Sequence, residues 1–423
     1  MTDADIRTAV ARGQGRAILF LRSAPDQAYF DLVLDLCKRD QAFDRLFENR
    51  IDYMWRLANT LPVPADLVKP LGDRLLQAKD RRDRMQVRWV LGRFREAGSE
   101  EARQILLRDF KRFRLTERPY TDAVELLGFE GLELLIGQAD RLEDRELQRT
   151  YEEAVEQFGK RRSDRAFRKL ARTDIRAARL LSGTQAERPR KPRKPMKTAA
   201  ECIQQLRDGG GWSGEFERVA NESDWIEVAQ IATATTDDAV LRGAGRIFAR
   251  HPWPLDVETT LRHALAEPDE LIRHKRLHML QATKSELIRE WALAQLSNQR
   301  LARENSVAFD LLELNAWPED RELIASGLRH LIRDKDTFHR AGLAVLNLTV
   351  RPTAELCQLI YEYGYCDECR NYVIRELVKR RAITIELLRE CVEDSCEDTQ
   401  KWARDTLRRR GRSPLSSPTF STS

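Results

Sequence analysis

Long apolar runs are what this chain most clearly lacks. No stretch of its 423 residues approaches the ~20 apolar residues that a membrane span requires, so no membrane role is expected. The opening residues Met1-Thr2-Asp3-Ala4-Asp5 lack the basic-then-apolar order of a secretory leader. Cysteine is scarce. The seven present are an odd number without regular spacing, which does not read as a disulfide framework. Together these absences lead us to expect a cytoplasmic chain. Several catalytic signatures are missing too. There is no Gly-x4-Gly-Lys-Ser/Thr and no Gly-x-Ser-x-Gly, and no Ser/His/Asp set has a geometry fixed by sequence. Gly209-Gly210-Gly211 follows no strand, so phosphate cradling is not expected, and Gly13-Gln14-Gly15 is too short to be a fingerprint. We assign no catalytic residue and no cofactor, and expect a role without chemistry.

What is present is charge: 33% of residues are Asp, Glu, Lys or Arg, against 42% hydrophobic, and the net charge is +5. The charge is unevenly laid out. Residues 1–182 hold 36 basic and 31 acidic residues, residues 183–197 six basic and one acidic, and the remainder 31 basic and 36 acidic. Opposite signs in the two halves suggest different partners, or halves that attract each other.

The hydrophobic pattern is helical throughout. Leu356, Leu359, Ile360 and Tyr363 follow the i, i+3, i+4, i+7 rule, as do Ala341, Ala344, Val345 and Leu348. Ile324, Leu328, Leu331 and Ile332 form another stripe. Thr283 with Glu286 reads as a capping box, and Pro318 and Pro352 suit a first helical turn. Ile383-Thr384-Ile385 is β-prone but leads into a helical stripe. An all-α fold is therefore expected. We divide the chain into a helical repeat arm over 1–182, a basic Pro-rich linker over 183–198, a second repeat arm over 199–411, and a disordered Ser/Pro/Thr-rich tail over 412–423.

A period underlies the second arm. Asp238, Asp269, Asp336, Asp367 and Asp398 are spaced by 31, 67, 31 and 31 residues, and 67 is close to two steps. Asp238, Asp269 and Asp336 each have an Arg four residues on. Glu286, Glu322, Glu355 and Glu386 form a second series that advances at a similar rate. Such a period in a helical sequence implies an α-solenoid of stacked antiparallel helix pairs. One pair cannot cover its own apolar face, so neighbours must stack.

The segment Asp336-Thr-Phe-His-Arg340-Ala341-Gly-Leu343-Ala344-Val345-Leu346 resembles the second helix of short bacterial HEAT repeats, an armadillo-like architecture. Asp238 to Arg250 is a weaker copy. The resemblance covers about 237–411 and is vague over 1–182. It implies a scaffold or adaptor, with a protein as the first expected partner. A minority of the superfamily are lyases and isomerases of bilin pigments, or alkylpurine DNA glycosylases, so a pigment-lyase-like enzyme is an alternative.

A second alternative rests on charge. Lys160 to Arg179 carries nine basic and two acidic residues. Read as one helix, it sets Arg161, Arg165, Arg168, Arg172, Arg176 and Arg179 on one broad face. The linker adds Arg188, Arg190, Lys191, Arg193 and Lys194. This density suits a polyanion, so nucleic-acid binding or DNA processing through 160–197 is the competing function. A second basic cluster, Lys79–Arg118, interleaves Trp89, Phe94, Phe110 and Phe113. These aromatics read as a core stripe rather than a base-stacking platform.

Cys366-x2-Cys369 with Cys391 and Cys396 approaches a four-thiolate zinc spacing, but the second pair is C-x4-C, and Cys391 continues the apolar stripe of Leu388 and Val392. The sequence does not assign a metal there. His274 and His278, four apart, lack a neighbouring Glu and are flanked by cations, so they too are left unassigned. Trp253, Trp291 and Trp317 are placed to line one wall, for packing or for docking a protein.

Overall fold

The computed structural model describes residues 1–23, 25–40, 42–43, 48, 50–78, 80–112, 120–139, 142–182, 197–208, 215–298 and 303–411. Among these there is no strand, and α-helices connected by short turns account for nearly all of the fold. Most of the linker, the glycine loop at 209–214 and the tail from Arg412 lie outside the described residues. Among the described residues no helix is long and apolar enough to cross a membrane.

The helices start where the local chemistry provides a cap. Thr198 with Glu201 and Asn221 with Asp224 form reciprocal capping boxes, and Asp237, Asp256, Asp269, Asp334 and Thr353 accept from backbone N–H groups one turn in. Two expected caps are corrected. Thr283 is buried, and its hydroxyl accepts from the backbone N–H of Trp253 at 2.8 Å, while Ser285 occupies the cap position of the helix Glu286–Ser297. Pro352 precedes the capping Thr353 instead of entering the first turn. Thr384, in the β-prone run, accepts from the N–H of Leu387 at the start of the helix Ile385–Val392.

The periodic acids occupy equivalent places. Asp238, Asp269, Asp336, Asp367 and Asp398 each lie at or beside the first residue of a helix. Glu286, Glu322, Glu355 and Glu386 lie in the first turns of the alternate helices. Carboxylates there face the positive helix end.

The chain folds into two compact units: Met1–Pro192 with Leu388–Ser423, and Arg193–Leu387. In the second unit several helices pack both on a sequence neighbour and on the next helix but one. Glu286–Ser297 packs on Arg303–Asn315 and on Arg321–His330, and Arg303–Asn315 packs on Glu270–His278 and on Lys335–Asn347. Side chains tie successive pairs at a nearly constant step. Ser285 N–H donates to Asn315 Oδ1 at 2.8 Å, 30 residues away, and Arg289 donates to Asp320 at 2.8 and 2.6 Å, 31 residues away. Asn315 Nδ2 donates to the Thr283 carbonyl, 32 residues away.

In the first unit, Ile51–Ala58, Arg81–Glu96, Tyr120–Leu127, Asp144–Phe158 and Ile175–Ser182 follow one another in the same next-but-one contact. Its core includes Met54, Leu91, Phe94, Leu106, Phe110 and Phe167, so Phe94 and Phe110 are core residues. Trp89 packs partly buried against the same core, and Phe113 lies outside the described residues. The segment after Leu388 belongs to this unit. Gly15 lies so close to it that a Cβ there would sit 2.0 Å from the Glu390 carbonyl oxygen.

Candidate functional site

The structure divides the basic stretch into two helices, Lys160–Leu170 and Ile175–Ser182, so the arginines do not share one continuous helical face. Arg161, Arg165, Arg168, Arg172 and Arg179 are exposed and form no ion pair among the described residues. Arg176 differs. It donates to Asp174 and to the Ala139 and Leu142 carbonyls, which makes it a brace between helices. Arg188, Arg190, Lys191, Arg193 and Lys194 lie outside the described residues.

A row of polar side chains crosses successive helices of the second unit. Asp310 is 5% exposed, with Arg340 at 3.2 Å and His278 Nε2 at 3.9 Å. Glu313, one turn on, accepts from Gln281 at 3.1 Å and from Asn347 at 3.4 Å. Burial pushes the Asp310 carboxyl up to about 6, with Arg340 opposing. Burial also raises Glu313 and lowers His278, whose imidazole is therefore held towards its neutral form. His274 and His278 face each other edge to face at 6.4 Å.

The three tryptophans do not share one environment. Trp253 is 6% exposed, donates through Nε1 to Thr260 and packs on Phe248, while Trp291 is half-buried. Trp317 is 48% exposed. The Arg289 guanidinium sits 3.9 Å from its ring centroid and is held by Asp320 and by Glu286. Beside Trp317 a shallow hollow of about 460 Å³ is lined by Lys284, Glu286, Leu314, Asn315 and Thr349.

The cysteines separate as well. Cys366 occupies the N-cap position of the helix Asp367–Lys379 without a side-chain cap bond, and Cys369 follows within its first turn; both are buried. His339, half-buried on the helix Lys335–Asn347, brings Nδ1 to 3.7 Å from Cys369 Sγ. The hydrogen bond from Cys369 holds the Cys366 thiol well below its ordinary range, with burial opposing and His339 adding to the effect. Cys369 is conversely kept protonated. Cys391 is buried beside Leu388 and Val392 as the apolar stripe requires, and Cys396 occupies the N-cap position of the helix Glu397–Arg409. His339 is the partner that cysteine spacing alone misses. The signal that finds it is the period, since it lies 30 residues before Cys369.

Comparison with protein-family models and with curated proteins finds no match to this chain.

Proposed function

We propose that this chain is a HEAT-like α-solenoid scaffold that binds another protein, with the surface around Trp317 as a docking point. The observation that carries the reading is Trp317 itself, a large aromatic half exposed yet fixed in place by Arg289. A side chain already held still loses little freedom on binding, and Trp and Arg are the residues that most often dominate interface energies. The recurring ties of 30 to 32 residues between helix pairs support the solenoid. Placing a photo-reactive amino acid at Lys284 tests it. A discrete protein adduct is expected in cells, lost when Trp317→Ala is added and absent from a control position at Glu258. An adduct indifferent to Trp317→Ala, or no adduct, defeats the reading.

One observation favours a second reading, nucleic-acid binding: the five exposed arginines have no acidic partner among the described residues. A gel shift in ~100 mM salt, compared with the chain in which these arginines are glutamine, decides it. No shift in either form removes the idea.

A further inference from the structure

We propose that His339, Cys366 and Cys369 form a zinc-binding site that joins the helix Lys335–Asn347 to the helix Asp367–Lys379. Their ligand atoms, one imidazole nitrogen and two sulfurs, all lie within 4.8 Å of one another. Among the described residues this is the only group of three or more His, Cys, Asp or Glu side chains with that mutual reach. A tetrahedral zinc ion with Zn–S of about 2.3 Å and Zn–N of about 2.0 Å sets its ligand atoms roughly 3.5–3.8 Å apart. The 3.7 Å between Cys369 Sγ and His339 Nδ1 already meets that spacing. The remaining separations lie within 4.8 Å.

The donor set selects the metal class. Two thiolates and an imidazole are soft and borderline ligands, which suit zinc and disfavour the oxygen-seeking magnesium and calcium. The thiols are buried, at 7% and 3% exposure, while the half-buried His339 leaves a side open to solvent. Each thiol that enters as S–H releases its proton to solvent as it binds. Three protein ligands leave a fourth position for water or for a ligand from a bound partner. The site also sits at the step used elsewhere for ties between successive pairs: His339 and Cys369 are 30 residues apart, as are Ser285 and Asn315. Bound zinc would thus replace a weak sulfur–imidazole contact with coordinate bonds at one such joint.

The test uses the full chain, reduced and stripped of metal. Zinc chloride is titrated against a chromophoric chelator, and cobalt(II) is then added in its place. The expected result is one zinc per chain, and with cobalt a thiolate-to-metal charge-transfer band together with tetrahedral d–d bands. Cys366→Ser, Cys369→Ser and His339→Asn should each abolish stoichiometric uptake, and Cys396→Ser should not. Circular dichroism checks that each variant is folded. Should one unfold, zinc protection of Cys366 and Cys369 from a thiol reagent in the unaltered chain gives the same information, with protection expected. The proposal is overturned by absent uptake, by uptake unchanged in the folded variants, by equal labelling with and without zinc, or by a Cys366–Cys369 disulfide whose reduction yields no metal binding.

Discussion

Arg56 and Glu393 lie 337 residues apart in sequence and meet in an ion pair of 2.6 Å. Glu393 also accepts from Arg22 at 2.8 Å, and Arg56 reaches the Asp394 carbonyl. Arg16 pairs with Glu390, and the Ser395 N–H donates to the Gly13 carbonyl, both at 2.8 Å. The last helices of the chain are thereby fastened to its first ones within one compact unit. Glu393 is 8% exposed, so removing it strands two guanidinium groups, although Arg22 is itself half in water. Glu393→Ala is expected to lower unfolding stability by about 2 kcal/mol. Denaturant midpoints measure the loss, and hydrogen exchange should speed up in the helix Glu397–Arg409.

A sharper version of the same test is Gly15→Ala. The added methyl would meet backbone atoms at Glu390 and Glu393, which cannot move aside as a flexible side chain can. The expected cost is ~3 kcal/mol or failure of the closing segment to dock. A substitution tolerated at wild-type stability would show that the segment does not pack there.

Asp310 gives a pH dependence with a definite sign. Its carboxyl binds a proton more tightly in the folded chain, at about 6, than at its ordinary value of 3.8. The folded state therefore holds more protons between those values, and this group's contribution to stability falls as pH rises through that window. Above about pH 6 the buried charge exerts its full cost, of order 2–3 kcal/mol. Arg340 faces it and lowers that cost, Glu313 is a nearby acid, and His278 is held towards neutrality and supplies little charge. Asp310→Asn should raise the melting temperature at pH 7.5 and leave it nearly unchanged at pH 4. Melting curves at the two pH values settle this.

Arg289 links fold and proposed function. It donates twice to Asp320, which is 5% exposed, and supports the Trp317 ring. Burial alone would raise the Asp320 carboxyl, but the bonds from Arg289 and the Trp317 N–H leave it lowered. That stabilisation is present at neutral pH and disappears as pH falls below the ordinary carboxylate range. Arg289→Met is expected to cost about 2 kcal/mol at pH 7 and less in acid, and to release Trp317, seen as increased mobility in fluorescence anisotropy.

The basic helices separate brace from surface. Arg176→Gln should destabilise by ~1–2 kcal/mol, because it abandons two carbonyls and the Asp174 carboxylate. Replacing Arg161, Arg165, Arg168, Arg172 and Arg179 together should leave the melting temperature nearly unchanged. Parallel thermal melts of the two variants compare these outcomes directly.

Helicity is legible because apolar stripes and first-turn acids recur along the chain. The five spaced aspartates do mark helix starts. The sequence suggests a single broad arginine face because the turn at 171–174, which splits it, contains no Pro or Gly to announce it. Thr283 reads as a cap because its spacing to Glu286 fits a box. Its burial between neighbouring pairs is a tertiary fact with no local signature. Pairings such as Arg56 with Glu393 are illegible for the same reason: surface-type residues at that separation carry no pattern. His339 lay between, visible only when the cysteine motif is read together with the repeat step.

The most direct test of the stacked repeat is an electron-density map of the full chain at side-chain resolution. One rotation and translation should carry the pair Glu286–Ser297 and Arg303–Asn315 onto Arg321–His330 and Lys335–Asn347, and again onto Ala354–Tyr363 and Asp367–Lys379. The Arg289–Asp320 and Ser285–Asn315 bonds should mark the joint between the first two pairs. Helices gathered about one centre, with no common operator from pair to pair, would contradict it.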